Sequence, residues 1–346
     1  MLKKTVLCFL GMLCVLCSFV SCNDEVSEEH GSPRDDFKNM LSSVVAVEFK
    51  VEKNGVYEKI ADGSGVVIKV EDGDYVLTCR HVIYDAENRS SEIRLTSYMN
   101  EDDGGEVAEC IWLSESYDLA LLKCDTLTHK YPELKPIEPS RELYAGQRAN
   151  AVGNLDGNGL CLTSGSVTRE YKRVTLPVPY GTSIDLDLIE YDALTGRGYS
   201  GGGLFDESGK LLGIINARNT SAGTGWAIPA ELAIALADEA ISKGLTDTVD
   251  LGIEVGQANS LITTTPSIKA TGVLTGSVAS AFLKDGDQIT SVEINGERVA
   301  TNTPIDLEVL LISADQGDTL TFNYISEKAE KGYTFTINEI HLKGIN

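Results

Sequence analysis

Histidine is scarce in this chain, with four among 346 residues, and basic residues are few, with 29 against 52 acids. The net charge of −23 repels phosphate backbones, so nucleic acid is disfavoured as a partner. No His-Glu-x-x-His motif occurs and no cysteines beyond the leader sit at zinc spacing, so no metal and no cofactor is expected. Neither an internal repeat nor a low-complexity tract is evident. Charged residues make up only 23% against 42% hydrophobic ones, which excludes global disorder. What the chain has in quantity is glycine, 33 residues, pointing to a turn-rich, largely β protein. Its length suits two domains.

The first residues read as an address. Lys3 and Lys4 precede an apolar stretch from Thr5 to Val20, of signal-peptide length. Phe19-Val20-Ser21-Cys22 resembles a bacterial lipobox, with Phe19 a departure at its first position. On that reading residues 1–21 are removed and Cys22 is lipidated, anchoring the protein to a membrane of the cell envelope. The alternative is ordinary cleavage that releases a soluble protein. Residues 22–40 form an acidic tether. Cys8, Cys14 and Cys17 leave with the leader, and Cys79, Cys110, Cys124 and Cys161 remain. Cys110 and Cys124 are expected to face each other in a hairpin centred near Tyr117, as a disulfide or as two buried thiols.

From Leu41 short strands dominate. Val45, Val47, Phe49 and Val51 alternate with polar or small residues. Asp62-Gly63-Ser64-Gly65 is expected to turn into Val66–Ile68, and Glu71–Asp74 into Tyr75–Leu77. Ala108–Leu113, Leu119–Cys124, Ala149–Gly153 and Leu211–Asn216 are further strands. A helix from Pro229 to Lys243, stopped by Gly244, closes a domain spanning 41–247. A second domain, 248–346, holds a strand at Gln288–Ile294, a turn at Asn295-Gly296 and a helix at Pro304–Ser313. A hairpin of Thr319–Ile325 and Tyr333–Ile340 around Lys328–Gly332 completes it.

The chemistry concentrates in Gly196-Arg197-Gly198-Tyr199-Ser200-Gly201-Gly202-Gly203. A dinucleotide fingerprint and an α/β-hydrolase elbow both need a helix to follow at once, and here Leu204–Gly209 reads as strand and turn. The remaining match is the Gly-x-Ser-Gly-Gly loop of trypsin-like proteases, whose chain order is His, Asp, Ser. His81 follows a β-run, Asp118 opens an apolar strand, and Ser200 comes last, so the order is right. His30 lies in the tether, His129 in a polar loop and His341 in a predicted exposed strand. A serine hydroxyl needs a base within hydrogen-bond reach, a role suited to His81, with Asp118 fixing the imidazole's tautomer. The amides of Gly198 and Ser200 would form the oxyanion hole.

Gly63-Ser64-Gly65, Thr78-x-x-His81-Val82-Ile83, Asp118–Lys123, Gly153-Asn154, Gly198-x-Ser200-Gly201-Gly202, Gly209-x-x-x-Gly213–Asn216 and Gly225–Pro229 together resemble the high-temperature-requirement (Deg-type) serine proteases. Cys79 and Arg80 depart from the small polar residues usual before the histidine, and Gly203 from a common proline. The resemblance implies an all-β fold: a double β-barrel protease domain, with its site in the cleft, and then a PDZ-like domain. It also implies endoproteolysis of unfolded or damaged envelope proteins through an acyl-enzyme on Ser200, and a homotrimer. Leu251, Gly252 and Ile253 look like the loop whose amides hold a peptide C-terminus in that family. Counting six back from Ser200 puts Leu194 at the floor of the substrate pocket, with Trp226 on the opposite wall. Together they favour cleavage after small or medium aliphatic residues. The competing reading is a catalytically silent, chaperone-like lipoprotein that binds peptides.

Overall fold

The computed structural model describes residues 33–345 apart from 72, 84–90, 100–103, 180, 182, 245–246, 258–266 and 300. The leader, the lipobox at Cys22 and the first part of the tether lie outside the described residues. The last part of the tether does not behave as a linker. Pro33–Leu41 forms a helix, α1, that buries Met40 against the core, because Met40 and Leu41 are apolar enough to dock.

Six strands close into a first barrel in the order β1-β2-β3-β6-β5-β4: β1 (Val44–Lys53), β2 (Val56–Val70), β3 (Gly73–Cys79), β4 (Ser91–Ser97), β5 (Glu106–Ser114) and β6 (Leu119–Lys123). Short helical turns α2 (Arg80–Ile83) and α3 (Leu127–Lys130) follow β3 and β6. A second barrel uses β7 (Arg148–Asn154), β8 (Leu160–Leu176), β9 (Ile184–Tyr191), β10 (Gly203–Phe205), β11 (Leu211–Asn219) and β12 (Thr224–Pro229). Its order, β7-β8-β9-β12-β11-β10, repeats the first barrel's connectivity, a duplication with no counterpart in the residues themselves. Alternating side chains fill both interiors, with Val45, Val47, Leu77 and Leu121 in the first and Ala151, Ile189 and Leu204 in the second fully buried.

The expected turn at 62–65 is a correction. β2 runs straight through it, with Gly63, Ser64 and Gly65 paired to Val47, Ala46 and Val45. The glycines serve close approach instead. A Cβ on Gly63 would sit 2.4 Å from Val82 Cγ1 and 3.1 Å from the Ser200 carbonyl oxygen.

Helix α4 (Ala230–Lys243) has Pro229 as its N-cap and ends at Gly244, which is left-handed at φ 64°. Beyond it, β13 (Asp247–Val249) pairs with β20 (Leu342–Gly344). A separate sheet orders β14 (Ile253–Gln257), β15 (Ile268–Val273), β16 (Gln288–Ile294), β18 (Thr319–Ser326) and β19 (Ala329–Thr336), with β17 (Glu297–Val299) beside β16. Helix α5 (Pro304–Ser313) lies over this sheet and packs on α4. The β18–β19 turn is tighter than expected, because Glu327 and Lys328 both adopt positive φ and close the hairpin in two residues. Glu339–His341 is a 3-10 turn capped by Asn338, and His341 is buried edge-on to the Phe335 ring rather than exposed. Ile345, also buried, reaches back to the first barrel. Its carbonyl accepts Ser114 Oγ at 2.7 Å and the amides of Glu115 and Ser116 at 3.0 and 3.3 Å.

Candidate active site

Strand β3 delivers His81 at the start of α2, and the turn before β6 delivers Asp118. Asp118 sits in the left-handed region at φ 50°, a conformation aspartate tolerates better than most residues. Its carbonyl accepts the Arg80 amide at 3.0 Å. Its buried carboxylate accepts three N–H groups: the His81 amide at 3.0 Å, His81 Nδ1 at 2.6 Å, and Asn216 Nδ2 at 2.8 Å. A carboxylate so surrounded fixes the imidazole's orientation and leaves Nε2 as the basic face.

Ser200 enters from the second barrel between Gly198 and β10. Its hydroxyl donates to the Asn216 carbonyl at 3.2 Å. One asparagine therefore touches both halves of the site, through its side chain to Asp118 and its carbonyl to Ser200. Sequence reasoning gave Asn216 no role; the signal was a polar side chain ending the buried run Leu211–Ile215. Gly198 is left-handed at φ 88°, and a Cβ there would lie 1.9 Å from the Asn154 carbonyl oxygen. Among the described residues neither the Gly198 amide nor the Ser200 amide donates to another group. Two unengaged amides beside a serine are what a developing oxyanion requires.

Ligand atoms of Cys79, His81 and Asp118 all fall within 4.8 Å of one another. The Cys79 thiol is fully buried and donates to the Ile215 carbonyl at 3.3 Å. Burial, with the Asp118 charge beside it, pushes its pKa well above the ordinary thiol value, so it stays protonated and is a poor metal ligand.

A model for the trypsin-like peptidase domain matches residues 63–214. A probable periplasmic serine endoprotease DegP-like protein of Bartonella henselae is 33% identical over 274 residues, 76% of this chain and 50% of its own length. A serine protease Do-like HtrA of Lactococcus lactis is 30% identical over 289 residues, 76% of this chain and 67% of its own. The chain belongs to the HtrA family of trypsin-like serine proteases. It spans about half the length of the Bartonella relative and of a DegP-like relative from Brucella suis. The structure of the HtrA-type protease AlgW with a tripeptide superposes with a TM-score of 0.59 at 24% identity, covering 91% of this chain and 99% of that one.

Several expected positions differ in this HtrA chain. Leu194 is 70% exposed, so it cannot be a pocket floor; the count of six fixed its place along the chain but not its direction. The buried groups on that side are Tyr191 and Thr195, with Arg218 Nη1 donating to the Thr195 carbonyl at 2.6 Å. Trp226 pairs with Glu190 while its neighbour Gly225 pairs with Tyr191, and adjacent strand residues face opposite ways. Its indole therefore lies on the far face, donating to Glu190 Oε1 at 3.4 Å beneath Lys172. Cys110 and Cys124 are free thiols. A bulge after Cys110 sets it opposite Leu122, out of register with Cys124.

In the C-terminal unit Leu251 is buried and Ile253 begins β14, but the Gly252 amide is already taken by Asp250 Oδ1 at 2.8 Å. One of the three expected donors is thus engaged by the chain's own Asp250 carboxylate. A cavity of about 520 Å³ lies where both barrels meet this unit, lined by Tyr117, Arg173, Asp187, Leu251, Leu307 and Glu308 among others. Glu308 is half-buried there, and desolvation, with the Asp187 charge, raises its pKa to about 7.

Proposed function

We propose that this chain is a serine endopeptidase of the cell envelope that cleaves unfolded or damaged proteins. The observation that carries the reading is the 2.6 Å His81–Asp118 pair, braced by an asparagine whose carbonyl also holds Ser200. The hydroxyl of Ser200 leaves Asn216, gives its proton to His81 Nε2 and attacks the scissile carbonyl carbon. The oxyanion that forms is met by the amides of Gly198 and Ser200. Asp118 stabilises the imidazolium, which then protonates the leaving amine. Water, activated by the same imidazole, frees the acyl group from Ser200.

Names of relatives from Bartonella and Brucella support a periplasmic setting. Lipid anchoring at Cys22 and a homotrimer are further parts of the proposal, resting on the lipobox and the family resemblance. So is capture of peptide C-termini along β14, an edge strand among the described residues facing α5. The test is labelling by a fluorophosphonate probe together with casein cleavage. Wild type should do both and Ser200→Ala neither; turnover by Ser200→Ala at the wild-type rate would refute the assignment.

A further inference from the structure

Ser64 is fully buried and spends every polar group on the nucleophile loop or its supports. Its amide donates to the Ser200 carbonyl at 2.8 Å, and its carbonyl accepts Thr78 Oγ1 at 2.7 Å. Its hydroxyl donates to the Gly198 carbonyl at 2.7 Å and accepts the Asn154 amide at 2.8 Å. One proton and one lone pair are thus used in opposite directions, joining the end of β7 to the loop that carries Ser200.

We propose that Ser64 is a positioning residue for the oxyanion hole, its hydroxyl pinning the Gly198 carbonyl so that the Gly198 amide stays aimed at the reacting centre. The proposal rests on the endopeptidase reading above. On the upstream side the Arg197 carbonyl accepts the Asp156 amide at 2.9 Å. In a trans peptide the C=O and N–H point opposite ways, so this bond turns the Gly198 N–H away from the Asn154–Gly159 loop. Gly198 is clamped on both flanks, and swinging it must break the Ser64 bond, the Asp156 bond, or both. Removing the hydroxyl strands two buried groups, the Gly198 carbonyl and the Asn154 amide, which relax by rotating the clamped peptide. The loss falls where negative charge develops, hence on kcat rather than on substrate binding.

The experiment compares Ser64→Ala with Ser43→Ala in the full chain. Ser43 is an equally buried hydroxyl of the same barrel, bonded to the Met40 carbonyl at 2.9 Å. Ser64→Ala should lower kcat about 10- to 1,000-fold with KM within about twofold, and weaken a peptide boronate in proportion. Ser43→Ala should leave kcat near wild type. Ser64→Cys keeps the volume with a weaker donor, should fall between, and carries the test alone if the alanine variant does not fold. Unchanged kcat, or kcat and KM moving together, would overturn the proposal. Hydrogen exchange gives a readout independent of turnover: the hydrogen-bonded amides of Tyr199, Gly201 and Gly202 should exchange at least about tenfold faster in Ser64→Ala. Unchanged exchange would overturn the Ser64 assignment even in a chain that fails the fluorophosphonate test, which alone would sink the endopeptidase reading.

Discussion

The two halves of the cleft are built in opposite ways. On the first barrel the side chains are locked: Asp118 accepts three N–H groups between 2.6 and 3.0 Å. On the second barrel the backbone is locked and the side chain is not. Gly198 and Ser200 are gripped through their carbonyls by Ser64, while the Ser200 hydroxyl rests on a neutral acceptor at 3.2 Å. The difference follows from the tasks. An ionised carboxylate out of water needs its donors throughout the cycle, whereas a nucleophile must rotate to donate and then to attack.

Breaking the locked half should have the largest effect. Asp118→Asn would present the wrong hydrogen-bonding pattern to Nδ1 and should cost about 10⁴-fold in kcat with the fold intact, checked by steady-state kinetics beside circular dichroism. A loss below tenfold would mean the pair is merely structural.

Breaking the backbone half should show first in stability. Gly201 is left-handed at φ 83°, and a Cβ there would meet the Ser64 carbonyl oxygen at 2.1 Å. Gly201→Ala should therefore destabilise by on the order of 3 kcal/mol, read from denaturant midpoints.

The third prediction contrasts the cleft with the junction cavity. Desolvation raises Glu308 from its ordinary 4.5 to about 7, so the folded state holds this proton more tightly than the unfolded one. Its contribution to stability is present below pH 4.5 and lost as pH rises through 7. Glu308→Gln keeps an acceptor for Tyr117 and should match wild type at pH 4.5 yet exceed it at pH 8 by up to about 3 kcal/mol. A pH-independent difference would break the argument.

The smallest effect lies furthest from the chemistry. Thr303 caps α5, accepting the Asp306 amide while the Asp306 carboxylate accepts the Thr303 amide. Thr303→Ala should lower stability by about 1 kcal/mol and leave turnover unchanged.

How much of this could be read beforehand tracks the same contrast between side-chain identity and backbone placement. The pairing of His81 with Asp118, and the nearness of Ser200 through Asn216, were legible because the proposed chemistry demands those types in that order. β1, β16 and α5 were legible because their apolar residues keep a clean period. β8 was missed: its register shifts near Val167 and Arg169 break the alternation that would have announced it. Gly63 was misread as a turn because glycine signals freedom and close contact alike. Leu194 and Trp226 were placed correctly in order and wrongly in direction, since position along a chain says nothing of which face a side chain takes when the partner strands are unknown. Ser64 stood inside a family-like motif but carried no role of its own, a serine between glycines being ordinary until the loop 134 residues away is brought against it.

The grip of Ile345 on Ser114, Glu115 and Ser116 spans 231 residues. It ties the far end of the second unit to the turn that presents Asp118. The chain through α4 already includes His81, Asp118 and Ser200, yet the turn leading to Asp118 takes its brace from the residue that follows β20, and β20 is itself held by β13. The same few hydrogen bonds thus make the last strand a structural neighbour of the cleft.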